Sequence, residues 1–440
     1  MQINLFTPIT NYFRHTLRRY IALGVTLSLC LVFLSSCQTS LRKNNNVTHV
    51  TLWQGLNPPV NRDVFNKLVD KFNQRHPDIH IDSVFVGTFD QQLPKILTAV
   101  VGNSAPDVLY FYPQITGQLV ELGAIEPLEN WFDKLSFKSE VDPNSLEELK
   151  LDQRLWSIPL YTSNMGVFYR PDLFKKAGIT ETPKTWEELR QVAKKLTIDK
   201  NGDKRPEQHG ILLPLGKGEW TVFSWFPFLL SAGGDIVNND YPNLNNNGAV
   251  SALKFWEELM KDGIATLSPL ERGYEEDAFL TGRVAMQITG PWTYIAKSDV
   301  PYGVFPIPMD KNPATVIGGG NLYLMKTTPD KEKAALKFLE FVLSEEFQTE
   351  WAKGTGFLPI NLKSAASSEY QEYLKEKPWL KVFIDQMDVA KFRPTIPGYS
   401  RISDSLGRAI EATLLGKSSA EAALKEAQAR LDVIWGSEKN

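Results

Sequence analysis

The chain is poor in cysteine: 440 residues hold two, Cys30 and Cys37, and none follows. No disulfide can staple the body and no thiolate set can hold zinc, so packing has to carry the fold. Five histidines are present without an HExxH pattern; His76 and His80 lie four apart, but Pro77 breaks any helix they would share. No GxSxG nucleophile turn occurs. Gly416-Lys417-Ser418 ends like a phosphate-binding loop, yet Glu411 stands where the leading glycine is needed, and the stretch reads as a helix cap. Asp199-Lys200-Asn201-Gly202-Asp203 spaces its oxygens as a calcium loop would. Lys204 and Gly210 occupy the positions that need glycine and glutamate, so a plain turn is expected. Dense Lys/Arg clusters are missing and the formal charge is −3, which leaves no electrostatic case for nucleic acid. No metal and no cofactor are expected.

One apolar run stands out, Tyr20 to Leu34, behind Arg14, Arg18 and Arg19. Its 15 residues fall short of the roughly 20 that a bilayer-spanning helix needs. Leu34-Ser35-Ser36-Cys37 closes it and resembles a bacterial lipobox, which implies cleavage before Cys37 and a lipid on its thiol. Residues 1–36 are then a lipoprotein signal peptide and 37–46 a lipidated tether. The expected location is periplasmic or otherwise extracytoplasmic, anchored to a bacterial membrane by the lipid. The first 36 residues carry three arginines and no acid, so the remainder sits at a net charge of about −6.

Beyond the tether, strand and helix patterns alternate. His49 to Trp53 reads as a strand; Asp63 to His76 places Val64, Phe65, Leu68, Val69 and Phe72 on one helical face. Ile79 to Val86, Gln91 to Val101 and Asp107 to Tyr112 continue as strand, helix and strand. This order argues for an α/β fold with a mostly parallel sheet covered by helices on both faces. Thr185-Trp186-Glu187-Glu188 is a capping-box pattern opening a helix to about Leu196, and Ser418-Ser419-Ala420-Glu421 opens the last helix. Lys333 to Leu343 is also strongly periodic. A body of this length exceeds one hydrophobic core, so two lobes are expected.

The aromatic content is 11 %, and several rings lie in Gly/Pro/Asn-rich stretches, better placed to line a groove than to fill a core. Read in order, Thr51-Leu52-Trp53-Gln54-Gly55, Gly102 to Val108, Pro159 to Arg170, Pro183 to Leu189, Gly282 to Trp292, Ile317 to Asn321 and Gly354 to Pro359 resemble the family 1 extracellular solute-binding proteins of ABC importers. That family includes maltose, trehalose and glycerol-phosphate binders. The resemblance implies two mixed-sheet lobes joined by a hinge, with ligand held between them. One lobe would take 47–158 plus 303–345, and the other 159–302 plus 346–435. Hinges would fall at Ile158–Leu160 and Tyr302–Phe305, and closure around a ligand would present a form that an importer permease recognises.

A sugar offers hydroxyls at its edge and apolar C–H faces, so its site needs flat rings and fixed polar groups. Trp53 and Gln54 end the first strand, where open α/β sheets bind ligands. The resemblance implies further contacts from Asp90, Tyr112, Gln114, Ser163, Trp292 and Tyr399. Trp220 and Trp225 lie in the aromatic 216–228 stretch, and Gly319, Gly320 and Asn321 could offer backbone N–H groups at close approach. The basic residue of the glycerol-phosphate binders falls on Gly398, with Arg393 and Arg401 nearby. The expected ligand is therefore a neutral oligosaccharide or a glycosylated polyol such as a glucosylglycerol, with glycerol-3-phosphate or a glycerophosphodiester as the alternative. The partners would be permease subunits with a cytoplasmic ATPase, and the chain a monomer without catalysis. A lipid-anchored carbohydrate hydrolase is the rival from another class, and would need two carboxylates flanking one bond. A purely structural envelope lipoprotein is a third reading, and predicts no ligand-induced change in melting.

Overall fold

The computed structural model describes residues 47–147, 149–270 and 274–437. Cys37 and the apolar run before it lie outside these residues. No described helix is long and apolar enough to cross a membrane.

The strands of the two main sheets are, in chain order, β1 (Thr48–Gln54), β2 (Ile79–Phe85), β3 (Val108–Phe111), β4 (Ile158–Ser163), β5 (Gly166–Tyr169), β6 (His209–Leu213), β7 (Ala265–Leu267), β8 (Val284–Thr289), β9 (Gly303–Pro306) and β10 (Gly318–Leu324). The principal helices are α1 (Pro59–Arg75), α2 (Phe89–Val101), α3 (Trp186–Leu196), α4 (Glu219–Ser231), α5 (Asn247–Lys261), α6 (Pro329–Leu343), α7 (Glu345–Thr355), α8 (Tyr399–Leu414) and α9 (Ala420–Ser437). The expected helices and strands are present, generally within a few residues at each end; α1 starts earlier than its apolar face suggests, because Pro59 suits the first turn of a helix.

The first sheet has the order β2-β1-β3-β10-β4 and the second β7-β6-β8-β5-β9. β1 runs parallel to β2 and β3, but β10 lies antiparallel to both β3 and β4. In the second sheet β6 is parallel to β7 and β8, while β5 runs antiparallel to β8 and β9. Each sheet is thus mixed, and the early strand–helix–strand alternation reports only its parallel portion. The antiparallel strands arrive where the chain passes from one sheet to the other, between Ser163 and Gly166 and again between Pro306 and Gly318. Two α/β halves result.

The first half buries Phe65 and Phe72 of α1 against Phe338 of α6 and Phe347 and Trp351 of α7. A fully buried Phe contributes about 2 kcal/mol by area. Outside this core, Arg75 holds Glu346 with two hydrogen bonds, Nη1 to Oε2 at 2.6 Å and Nη2 to Oε1 at 2.8 Å, and Lys71 also pairs with Glu346 and Glu350. In the second half α4 is mostly apolar beyond Glu219, as a helix sunk largely in a core must be. Val222, Trp225, Phe226, Phe228 and Leu229 are indeed sealed in that core. Helix α3 starts with half of the expected capping box: Thr185 Oγ1 accepts from the Glu188 N–H at 3.2 Å, but the Glu188 carboxylate accepts from the Lys184 N–H at 2.6 Å, one residue before the N-cap.

The 199–203 stretch is a turn that spends its oxygens on its own backbone. Asp199 accepts from the N–H groups of Gly202 and Lys204 at 2.7 and 2.9 Å, and Asp203 accepts from that of Arg205 at 2.8 Å. Among the described residues no cluster of three or more His, Cys, Asp or Glu is placed to hold a metal.

Candidate functional site

Between the halves lies a cleft of about 110 Å³. The β1–α1 turn brings Gly55 and Asn57 to it, the start of α2 brings Thr88, Phe89 and Asp90, and the end of β3 brings Tyr110 and Tyr112. Tyr161 and Ser163 enter from β4, and Gly318 and Gly319 from β10. The second half supplies Glu219, Trp220 and Phe223 from α4, Trp292 from the loop after β8, and Arg393 from the strap before α8; Phe357 follows α7.

The rings form the walls. Trp220 and Trp292 meet nearly edge to face, with centroids 6.4 Å apart and planes at 76°. Trp292 also stacks on Phe357, at 5.6 Å and 27°, so its indole belongs to both cores while one side faces the cleft. Gly290 makes that pose possible, since a Cβ there would lie 2.0 Å from the Trp292 ring. On the floor the phenol oxygens of Tyr110 and Tyr161 are 2.7 Å apart and both side chains are buried. Burial pushes both phenols well above their usual range, so they stay neutral and serve as hydrogen-bonding groups.

The three glycines of β10 act mainly through the space they leave. A Cβ on Gly320 would fall 2.2 Å from the Tyr110 ring, and one on Gly318 would fall 2.8 Å from Phe223 and 2.9 Å from Ser163 Oγ. Ser163 donates its hydroxyl to the Gly318 carbonyl at 3.0 Å.

Charge in the wall comes from one buried pair. Arg393 Nη1 donates to Glu219 Oε1, which also accepts from the Tyr399 hydroxyl at 2.8 Å, and Ser403 Oγ donates to Glu219 Oε2. Burial is the strongest single influence and opposes the charge on Arg393, but Glu219, Tyr399 and Tyr112 together outweigh it and hold the guanidinium protonated. Its Cζ sits 4.5 Å from the Phe223 ring centroid, and its Nε is buried without a partner. Gly398 cannot carry a basic side chain: its φ is +78° and a Cβ there would press on Trp435 at 2.8 Å. The arginine that reaches the cleft stands five positions earlier.

Of the residues singled out from sequence, Asp90, Tyr112, Ser163, Trp220, Trp292 and Gly319 line the cleft together. The others stand behind it or away from it. Gln54 is buried and turns Oε1 to the Leu56 N–H at 2.9 Å, which shapes the Gly55–Asn57 turn. Trp53 packs, partly buried, on the cluster around Ile96 and Phe111, and Gln114 is buried beside the end of β3. Trp225 is core, Asn321 donates to Ser157 Oγ at 2.9 Å, and Tyr399 backs Glu219 from outside the lining. Phe223 and Glu219 were missed although they flank the two tryptophans chosen in 216–228. Tyr110 and Tyr161 were missed because strand tyrosines look like core. Phe357 lies inside the Gly354–Pro359 motif, which carries the family resemblance without marking a site residue.

Two α/β halves enclosing an aromatic cleft define a two-lobed ligand-capture protein. The chain belongs to the bacterial extracellular solute-binding proteins, whose family profile matches residues 67–377. It is 26 % identical over 388 residues to the sn-glycerol-3-phosphate-binding periplasmic protein of Salmonella typhimurium, covering 84 % of this chain and 85 % of the relative. Its fold resembles that of an ABC substrate-binding protein from Listeria monocytogenes in complex with cycloalternan, with a TM-score of 0.78 at 25 % identity over 89 % of this chain and 99 % of the other. The fold is likewise shared, at a TM-score of 0.78 and 17 % identity over 89 % of this chain and 100 % of the other, with a Mycobacterium tuberculosis protein in complex with glycerophosphocholine.

Proposed function

We propose that this protein is the ligand-capturing subunit of an ABC importer. It clamps a small polyhydroxylated molecule between its halves and delivers it unchanged to a membrane permease. The observation that carries this reading is the pair of indoles, Trp220 and Trp292, meeting edge to face in the wall of a cleft whose floor is a hydrogen-bonded phenol pair. Flat rings suit the C–H faces of a sugar, and neutral phenols with Ser163 and Asp90 suit its hydroxyls. Asp90, Glu219 and Arg393 are the charged residues of the lining, giving a formal −1, which favours a neutral ligand over a phosphomonoester dianion. Site residues are taken to be Asp90, Tyr112, Ser163, Trp220 and Trp292, with Tyr110, Tyr161 and Arg393 added.

Capture is favoured over hydrolysis by the state of the second carboxylate. Glu219 has both oxygens committed to Arg393, Tyr399 and Ser403, so it is not poised beside Asp90 as an acid for bond cleavage. We take the halves to exchange chain at 163–166 and 306–318, later than the 158/159 and 302/303 junctions read from sequence, because β4 and β9 are paired through those earlier points. A lipid on Cys37 would tether the body to the membrane that houses its permease.

A second reading has a specific observation behind it: the buried, unpartnered Nε of Arg393 would suit one oxygen of a phosphodiester. Calorimetry with maltose, maltotriose, glycerol-3-phosphate and glycerophosphocholine, followed by chromatography of the recovered ligand, separates these readings. A neutral saccharide should bind and return intact. Binding of the phosphodiester alone would favour the second reading, and a cleaved sugar would end both.

A further inference from the structure

The loop that carries Trp292 also joins the two halves. On the second half Glu276 grips it twice: Oε1 accepts from the Thr293 hydroxyl, and Oε2 accepts from the Ile295 N–H at 3.2 Å. On the first half Lys297 Nζ donates to Asn61 Oδ1 at 3.0 Å and to the Gly354 carbonyl at 3.3 Å. The backbones touch as well, for a Cβ on Gly356 would lie 2.4 Å from the Pro291 carbonyl oxygen. Asn61 is fully buried, and its Nδ2 has no partner.

We propose that residues 290–297 are a clasp for the closed cleft: Glu276 fixes the loop on the second half, and Lys297 fastens it to Asn61 and Gly354 of the first. The clasp rests on the capture reading above and adds to it a determinant of closure that touches no ligand. The contact between Lys297 and Asn61 exists only while the halves are together, so its free energy enters the closing equilibrium directly. Burying the Asn61 amide with half its capacity unmet offsets part of that gain. The clasp is therefore weak by itself. It tips a nearly balanced hinge and leaves the ligand to decide, and because Trp292 rides on the same loop, closing and ring placement occur together.

The test uses the full chain and three variants, Lys297→Met, Asn61→Asp and the double. Lys297→Met keeps the exposed stem and removes the ammonium; Asn61→Asp gives that ammonium an opposite charge. With whichever of maltotriose and glycerophosphocholine binds the unmodified protein, Lys297→Met should raise the dissociation rate about fivefold with little change in association. Asn61→Asp should lower it, and that gain should vanish in the double variant. Hydrogen exchange of the ligand-free protein gives a readout independent of ligand identity: Lys297→Met should speed exchange in both the 59–66 and 290–297 segments. Equal rates for all variants, an Asn61→Asp effect that survives Lys297→Met, or unchanged exchange in both segments would overturn the clasp. If neither probe binds the unmodified protein, the capture reading is what fails, and the exchange data still decide the clasp.

Discussion

Arg393 and Glu219 form an ion pair sealed inside the wall of the cleft, with side chains 3 % and 7 % exposed. Two charges this deeply desolvated are held by mutual attraction and by the hydroxyls of Tyr399 and Ser403, and neither is stable there alone. Glu219→Gln should therefore cost about 3–5 kcal/mol, since it strands a guanidinium that cannot release its proton. Urea denaturation followed by tryptophan fluorescence measures this directly. The folded remainder should also shift its preference from neutral sugar toward phosphodiester, because the lining loses one negative charge. A midpoint equal to that of the unmodified protein would mean the pair contributes nothing.

Gly320 and Gly319 are neighbours on one strand with opposite tolerance for a side chain. Gly320→Ala forces its methyl into the Tyr110 ring, 2.2 Å from Cε2, and so disturbs the Tyr110–Tyr161 contact as well. Overpacking of this kind costs roughly 1–3 kcal/mol. At Gly319 the nearest atom to a new Cβ is the Tyr161 carbonyl oxygen at 3.1 Å, and no other lies within 4 Å. Melting temperatures of the two variants should differ, with Gly320→Ala the lower; equal losses would refute the steric account.

Much of this architecture was readable before any coordinates. The α1 face of Phe65, Leu68, Val69 and Phe72 repeats at helical spacing, and Thr185 with Glu188 announces a helix start, because both are local patterns. Sheet direction was not readable in the same way. β10 joins the first sheet antiparallel after some 150 residues spent in other elements, and no local periodicity encodes such a pairing. The site divides along the same line. Trp292 and Asp90 were found through ordered likeness to a family, whereas Arg393 and Glu219 meet across 174 positions and no spacing rule links them. Trp225 illustrates the converse: it shares a stretch with Trp220, but one helical face points to the cleft and the other to the core.

The division between cleft wall and core yields a paired prediction. Trp292→Ala removes a ring that walls the cleft, and an aromatic anchor of this kind typically carries about 2 kcal/mol of binding, so affinity should fall at least ~10-fold. Trp225→Phe, deep in the second core and outside the lining, should lower stability by about 1–3 kcal/mol yet leave the dissociation constant within a factor of about 2. Calorimetry and thermal melting on both variants give the two axes. If Trp225→Phe weakens binding as much as Trp292→Ala does, the boundary drawn here between wall and core is misplaced.

Glu346 makes the stability of the first half depend on acid. The hydrogen bond from Arg75, helped by Lys71, holds its carboxyl at about 2, below the ordinary 4.5. The folded state thus resists protonation more than the unfolded chain does, and stability rises with pH wherever the unfolded state binds more protons. The contribution is complete above pH 4.5 and drains away as pH falls from 4.5 toward 2. Its size is modest, because Glu346 and Arg75 are both more than a third exposed and screened by water. The sharp quantity is a difference: the urea midpoint of the unmodified protein minus that of Glu346→Gln. Other carboxylates cancel in that subtraction, so the gap should be widest near neutral pH, narrow steadily below about pH 5, and close near pH 2. A gap that stays constant over this range would mean that Glu346 acts through packing on α7 and not through its charge.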